Sequence, residues 1–197
     1  MTSQGLRGLL CALLLGASGH LAAAELNVTP GGEVLGLPSN APLNQFVERL
    51  GEPTARLPMR GGEQGLLYGN ATLLVFKGQR LTEVRCWLHS RFTPSLFLGW
   101  LDQVEPGKDP LTFAVDDTLH LGQERGAASG WLNGHEGDGD ELSDVRMSGN
   151  SEVWLGYGNS DDYGIQGESR QVVVSLSVSI PEPPAAAAAS MGVMSRP

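Results

Sequence analysis

The residues able to do catalytic chemistry do not form a known catalytic motif. The sequence contains none of the patterns Gly-x-Ser-x-Gly, Ser-x-x-Lys and His-Glu-x-x-His, which mark the commonest hydrolases. The histidines that follow the first 24 residues are His89, His120 and His135, and none stands in such a pattern. We therefore predict a protein that is not an enzyme and that uses no cofactor.

Cys86 and His89 have the spacing of one half of a zinc site. A structural zinc ion needs four ligands, and no second pair lies at a suitable spacing. Residues three apart in a strand also point to opposite faces of the sheet. Cys86 alternates with polar residues and shares its side of the strand with Val84 and Leu88. We predict no metal here, and we expect Cys86 to be a buried core residue.

Residues 136–144 contain a cluster of acidic side chains, which could bind calcium. An EF-hand loop that began at Asp138 would have Ser143 at its sixth position, where glycine is required. The calcium template therefore fails, and the segment is predicted to be a solvated acidic loop. An irregular calcium site that also uses Asp161 and Asp162 remains an alternative. The acidic residues of the segment are Glu136, Asp138, Asp140, Glu141 and Asp144.

Two tryptophans lie on the polar sides of predicted strands. Trp87 alternates in phase with Glu83 and Arg85, and Trp154 in phase with Glu152. Trp, Tyr and Arg dominate the energetics of protein interfaces, because a rigid amphipathic ring buries a large area at little entropic cost. The predicted partner-binding residues are Arg85, Trp87, Trp154, Tyr157, Asp161 and Asp162.

The first half of the chain has the pattern of a helix followed by three strands. Apolar residues recur with helical spacing from Leu43 to Leu50, and Gly51 and Pro53 then end the helix. Turns that contain glycine separate the strands, as in an antiparallel meander. The three apolar stretches are residues 66–68, 72–76 and 81–88.

The second half of the chain follows a similar order. Markers that recur at offsets of 83 to 89 residues suggest a duplication. The marker pairs are Gly36 with Gly122, Gly51 with Gly134, and Tyr68-Gly69-Asn70 with Tyr157-Gly158-Asn159. The predicted elements are a strand at 111–115, a weak helix at 123–132, and strands at 141–147, 152–157 and 172–180. We predict an α+β fold of two repeated units, each a short helix packed on an antiparallel β-meander.

The composition divides the chain into four segments. Residues 1–24 have one charge, Arg7, a short Leu/Ala-rich run and small residues at 22–24, which is typical of a secretory signal peptide. The first unit is predicted at 25–105, with a helix at 93–101 near its end, and the second unit at 106–180. Residues 181–197 are expected to form a disordered Pro/Ala tail. This leader predicts a periplasmic or secreted protein.

The charge restricts the class of partner. The sequence has 22 acidic and 13 basic residues, which gives a formal net charge of −9 at pH 7. This balance argues against nucleic-acid binding and favours another protein with a basic surface. No stretch has the ~18 apolar residues that a membrane-spanning helix needs, so no transmembrane segment is predicted.

The residue order also resembles a known family. Leu50-Gly51-Glu52-Pro53, residues 66–69, residues 76–79 and Leu121-Gly122 resemble the small outer-membrane assembly lipoproteins of the SmpA/OmlA type. A tandem pair of such units resembles the secreted β-lactamase inhibitory proteins. This resemblance implies two helix-plus-sheet units and a non-enzymatic role. The lipoproteins have a lipid-acceptor cysteine directly after the cleavage site, whereas this sequence has Glu25 there.

These observations favour a protein-binding module. The expected function is that of an inhibitor or immunity-type protein against a hydrolase or toxin. An envelope-assembly or scaffold role, implied by the lipoprotein resemblance, is the first alternative, and a calcium-binding module is the second.

Overall fold

The computed structural model describes residues 26–69, 71–88 and 112–182. The predicted signal peptide, the predicted helix at 93–101 and the tail from residue 183 lie outside the described residues. The elements of the first half are β1 (Leu26–Val28), β2 (Glu33–Val34), β3 (Leu37–Pro38), α1 (Leu43–Leu50), β4 (Ala55–Pro58), β5 (Glu63–Tyr68), β6 (Thr72–Lys77) and β7 (Arg80–Trp87). Those of the second half are β8 (Phe113–Val115), α2 (Arg125–Asn133), β9 (Glu136–Gly139), β10 (Ser143–Ser148), β11 (Ser151–Asn159) and β12 (Gln171–Ser179).

Helix α1 forms where the apolar spacing predicts it. Pro42 precedes its first residue with a φ of −73°, which suits the start of a helix. Gly51 ends the helix with a φ of +84°, a conformation that favours glycine. Phe46 is the fully buried residue of the helix, and its ring meets that of Phe76 edge to face at 5.6 Å. The helix therefore packs on the core through Phe46, with Leu43, Val47 and Leu50 partly buried beside it.

The described strands form two sheets. The larger sheet has the strand order β4-β5-β6-β7-β12-β11-β10-β9, and all its neighbouring strands are antiparallel. The smaller sheet has the order β3-β2-β1-β8, in which β1 and β8 run parallel. Strands β7 and β12 join the two halves of the chain at the centre of the large sheet, with Cys86 opposite Leu176 and Val84 opposite Val178.

The core fills the space between one face of the large sheet and the elements that cover it. Apolar side chains of α1, α2 and the small sheet pack there against alternate residues of β5, β6, β7, β11 and β12. Cys86 is fully buried in this core, as predicted. We call the opposite face of the eight-stranded sheet the outer face.

The prediction of two repeated helix-on-meander units is wrong. The described part of the chain is mostly β, and its strands form sheets of eight and four strands. Gly36 and Gly122 share a φ of +79°, but the other two marker pairs are not equivalent: Tyr68 ends β5, the second strand after α1, whereas Tyr157 lies in β11, the third strand after α2. Gly51 has a φ of +84° and Gly134 a φ of −81°, so these glycines also differ in conformation. The spacing of the markers therefore does not reflect a structural repeat.

Two further segments differ from their prediction. The strand predicted to enter the second unit, β8, pairs with β1 at the other end of the sequence, so a contact distant in sequence decides its place. The segment 136–144 is not simply a loop, because residues 136–139 form β9 and pair with β10. Asp144, expected to be solvated, is 3% exposed. Ion pairs with Arg125 and Arg146 compensate for this burial, and they form only when the chain has folded.

Candidate protein-binding face

Trp154 is displayed on the outer face by the alternation of β11. Its neighbours in the strand, Val153 and Leu155, are fully buried in the core, whereas Trp154 itself is 39% exposed. Successive side chains of a strand point to opposite faces, so the two buried residues hold the indole on the outer side. The predicted placement of Trp154 opposite Val153 and Leu155 is confirmed.

Two apolar side chains of β10 extend the exposed surface around Trp154. Val145 lies directly opposite Trp154 in the register of β10 and β11, which places their Cβ atoms about 5 Å apart. Met147 is the diagonal neighbour and is 43% exposed. We call Val145, Met147 and Trp154 the Trp154 patch. Large exposed apolar side chains that adjoin one another are a feature of interaction surfaces.

A glycine makes room for the indole of Trp154. The benzo edge of the ring lies over Gly156, where a Cβ atom would come within 3.1 Å of Cη2 and 3.2 Å of Cζ3. The same Cβ would also overlap with the hydroxyl of Ser175 on β12. The absence of a side chain at 156 therefore lets the edge of the ring come close to the sheet, while the side chain as a whole remains 39% exposed.

Acidic side chains surround the Trp154 patch. Asp138 of β9 is opposite Val145, and Glu136 is opposite Met147, so both belong to the outer face. Glu152 precedes Trp154 by two residues on the same face and lies opposite Met147. All three carboxylates are on exposed residues. The patch thus combines an apolar centre with an acidic rim.

Arg85 lies on the same face of the sheet, with strand β12 between it and the Trp154 patch. The register places Trp154, Ser177 and Arg85 in one row across β11, β12 and β7. Arg85 donates two hydrogen bonds to Glu83, at 2.7 Å from Nε to Oε1 and 2.6 Å from Nη2 to Oε2, and this pairing raises the pKa of Arg85. The Ser177 hydroxyl donates to the same carboxylate. Arg85 is therefore fixed by its ion pair with Glu83, which balances its positive charge.

Trp87 belongs to the outer face but is less available than Trp154. It is half-buried and packs against the second apolar cluster of the sheet, which is formed by Leu67, Leu73 and Val75. It lies opposite Ser175, which in turn lies opposite Gly156, the residue beneath the Trp154 ring. The two tryptophans thus occupy neighbouring rows of one surface.

Tyr157 does not belong to this face. A register shift after Gly156 accompanies its burial on the core side, where its hydroxyl donates to Asp144 Oδ2 at 2.7 Å. The guanidinium of Arg125 lies over its ring, with Cζ 4.4 Å from the ring centroid. Burial, together with the bond to Asp144, raises the pKa of Tyr157. The aromatic ring is a structural element of the core side.

Asp161 and Asp162 are also separate from the Trp154 patch. Both are exposed in a 3-10 turn at Ser160–Tyr163, which follows the end of β11. Five residues of extended strand separate Trp154 from that end, a span of about 17 Å. The structure therefore unites Arg85, Trp87 and Trp154, and it leaves the other three predicted residues outside their surface.

The acidic stretch shows no arrangement for a metal ion. Within residues 26–69, 71–88 and 112–182 there is no group of three or more His, Cys, Asp or Glu side chains that could hold one. Asp140 instead accepts hydrogen bonds from the backbone N–H groups of Leu142 and Ser143, both at 2.8 Å, and these bonds lower the pKa of its carboxyl.

The thiol of Cys86 has its pKa raised to about 12 by burial. Neither helix of these ranges combines the length and the apolar content needed to cross a membrane.

Comparison with solved structures gives distant similarity alone. No protein-family model matches the sequence, and no curated protein does. A cysteine-rich secretory protein from Staphylococcus aureus is similar in structure, with a TM-score of 0.47 and 10% sequence identity. The similarity covers 79% of this chain and 50% of the other, so this chain spans about half of that protein's length. At this level the similarity establishes neither a shared fold nor a shared function.

Sequence reasoning predicted the strand 141–147 that contains Val145 and Met147, but it missed β9 and did not assign either strand to the surface around Trp154. Val145 and Met147 alternate with charged or polar residues, and Glu136 and Asp138 alternate with glycines. The period of two at 136–139 could have indicated a strand there as well. The glycines obscured it, because glycine is depleted in strands and typical of loops.

Proposed function

We propose that the protein is a non-enzymatic, secreted or periplasmic module that binds another protein through the outer face around Trp154. The observation that carries this proposal is the exposure of Trp154 and of its diagonal neighbour Met147 on the outer face, opposite the buried core residues Val153 and Leu155. An exposed indole beside a flexible thioether can bury a large apolar area against a partner. The ring has little conformational freedom left to lose, because it already lies against Gly156.

The acidic rim favours a partner with a basic surface. Glu136, Asp138 and Glu152 place three negative charges around the patch, and the whole chain has a net charge of −9. Complementary charges at the edge of an interface mainly accelerate association, and their effect falls as salt rises. We propose a hydrolase or toxin of basic surface as the partner, which this protein would inhibit by covering it.

The test is to compare capture by the wild-type protein with capture by Trp154→Ala. Immobilised protein is exposed to an envelope and secreted extract of the source cells, and the proteins retained by each form are identified and then titrated as pure components. Trp154→Ala is expected to weaken the complex by about 2 kcal/mol or more, as truncation of an interface anchor does. Leu142→Ala is the matched control, because Leu142 is 70% exposed but lies outside the patch.

The identity of the captured protein separates the possible roles. A basic hydrolase or toxin that loses activity in the complex would support inhibition, whereas recovery of outer-membrane assembly proteins would favour a scaffold role. A partner whose affinity is the same for wild type and Trp154→Ala would show that the outer face around Trp154 is not the binding site. Neutralising Glu136 and Asp138 together should slow association and leave dissociation nearly unchanged.

A further inference from the structure

A second feature lies on the opposite side of the sheet from Trp154. A shallow, open cavity of about 590 Å³ lies between α2 and the strands β10 and β12. Its lining includes Glu124, Arg125, Asp144, Arg146 and Arg170. The volume is in the range of small-molecule sites, which run from about 300 to 1,000 Å³.

The cavity is lined by the basic side chains of a region that is otherwise acidic. Residues 112–182 contain 13 Asp and Glu but only three Lys and Arg, namely Arg125, Arg146 and Arg170. All three line this one cavity, where only Glu124 and Asp144 oppose them. The lining therefore has one positive charge in excess, although the surface around it is strongly negative.

The hydrogen bonds of Arg125 show that it supports the wall of the cavity. Its guanidinium donates to the backbone carbonyls of Asp140 at 2.6 Å and Glu141 at 3.1 Å. It also donates to the side chain of Gln171 at 3.1 Å, and Asp144 Oδ2 lies 3.5 Å away. Arg125 is thus largely occupied by the protein itself.

Arg146 has donor capacity that the protein does not use. Its Nη2 donates to Asp144 Oδ1 at 2.6 Å, and its side chain is 17% exposed. Its Nε is buried and has no hydrogen-bond acceptor among the residues that the structure describes. Its Nη1 also makes no hydrogen bond among these residues but is not buried, so it can donate to an acceptor in the cavity.

Arg170 provides the third cation of the cavity lining, and its Nη1 donates to the backbone carbonyl of Glu168 at 3.0 Å. Its Nε lies 2.7 Å from Glu124 Oε1, which makes an ion pair although the N–H is not aligned for a hydrogen bond. Glu124 is exposed, so this pair can rearrange at little cost when another anion approaches.

We propose that this cavity is an oxyanion-binding site, in which Arg146 and Arg170 hold a carboxylate or phosphate group of a small molecule. The planar guanidinium fork matches both groups, because it offers parallel N–H donors to two oxygens. The excess positive charge selects an anion, and Nη1 of Arg146, which has no hydrogen-bond acceptor among the described residues and is not buried, supplies its first hydrogen bond. The site lies across the sheet from the Trp154 patch and is independent of the protein-binding role.

The test is a titration of the purified protein with sodium phosphate, sodium acetate or sodium citrate, each matched in ionic strength with sodium chloride. The NMR signal of the Arg146 Nε–Hε group is expected to shift saturably, and the melting temperature is expected to rise, at concentrations up to ~50 mM. A response to phosphate alone would identify a phosphate ligand, and a response to acetate or citrate a carboxylate ligand.

Variants assign the response to the cavity. Arg170→Gln is expected to weaken anion binding about tenfold, since it removes a charged donor. Arg146→Gln should abolish binding, and Arg170→Gln keeps the test valid if that variant folds poorly. Arg56→Gln is the matched control, because Arg56 also forms an exposed ion pair, with Glu52 at 3.2 Å, in the other half of the chain. No saturable response to any of the three anions, or an equal response in wild type and Arg170→Gln, would overturn the proposal.

Discussion

A single buried carboxylate organises the polar side of the second half. Asp144 is 3% exposed and accepts hydrogen bonds from the hydroxyl of Tyr157 and from Arg146, while Arg125 lies at 3.5 Å. A buried carboxylate is tolerated only when such partners replace its hydration. Each of these partners therefore stabilises the fold more than a comparable group on the surface would.

Tyr157→Phe tests that reasoning. We expect it to lower the free energy of unfolding by about 1.5 to 3 kcal/mol, because it removes a hydrogen bond to a charged, buried acceptor. Tyr68→Phe is the matched control, since Tyr68 is equally buried and donates to the neutral carbonyl of Gly51 at 3.2 Å. We expect only about 0.5 to 1.5 kcal/mol there. Urea denaturation measures both losses, and a larger loss for Tyr68→Phe would contradict our account of Asp144.

At the scale of elements, glycines have opposite consequences in α2 and in β9. Gly130 lies within α2, and a Cβ added there would meet nothing within 4 Å. Gly139 lies in β9 opposite Asp144, and a Cβ added there would overlap with the Asp144 carboxylate. Gly130 weakens the helix. Gly139 is required in β9, because a side chain there would displace the Asp144 carboxylate from its ion pairs.

The two positions therefore predict changes of opposite sign. Gly130→Ala should raise the free energy of unfolding by about 0.5 to 1 kcal/mol, because alanine loses less conformational entropy in a helix. Gly139→Ala should lower it by about 1 to 3 kcal/mol through overpacking against Asp144. Thermal denaturation of both variants, with the wild type as reference, provides the measurement. Stabilisation by Gly139→Ala would show that β9 does not pack against β10 as described.

At the scale of the whole molecule, the pairing of β7 with β12 makes the two halves interdependent. Both strands are central in the eight-stranded sheet, and each contributes buried residues to the same core. Leu176 of β12 is 1% exposed and lies opposite Cys86 of β7. Loss of packing at this junction should therefore affect both halves together.

Leu176→Ala is expected to lower stability by about 2 to 5 kcal/mol, as truncation of a packed leucine does. Unfolding should remain a single transition, with equal calorimetric and van't Hoff enthalpies, because neither half retains a complete sheet without the other. Leu142→Ala, at an exposed position, is the control and should change stability by about 0.5 kcal/mol at most. Two resolved calorimetric transitions would show that the halves fold separately.

Local features were predictable from the sequence. The spacing of apolar residues indicated α1 between Leu43 and Leu50, and the alternation around Trp154 indicated which of its neighbours are buried. The alternation of polar and apolar residues in the strand of Cys86 likewise indicated that Cys86 is buried. These predictions succeed because the periods of helices and strands depend on residues close together in the chain.

Only the tertiary structure decided how those elements combine. Before the sheet forms, β7 offers the same unpaired N–H and C=O groups as any other strand edge. Its local sequence therefore does not specify which strand will pair with it. The pairing of β7 with β12, and of β1 with β8, therefore depends on packing between residues far apart in sequence. The same long-range packing buries Asp144 and brings three arginines to one cavity, because charges converge in space only after the strands that hold them have paired.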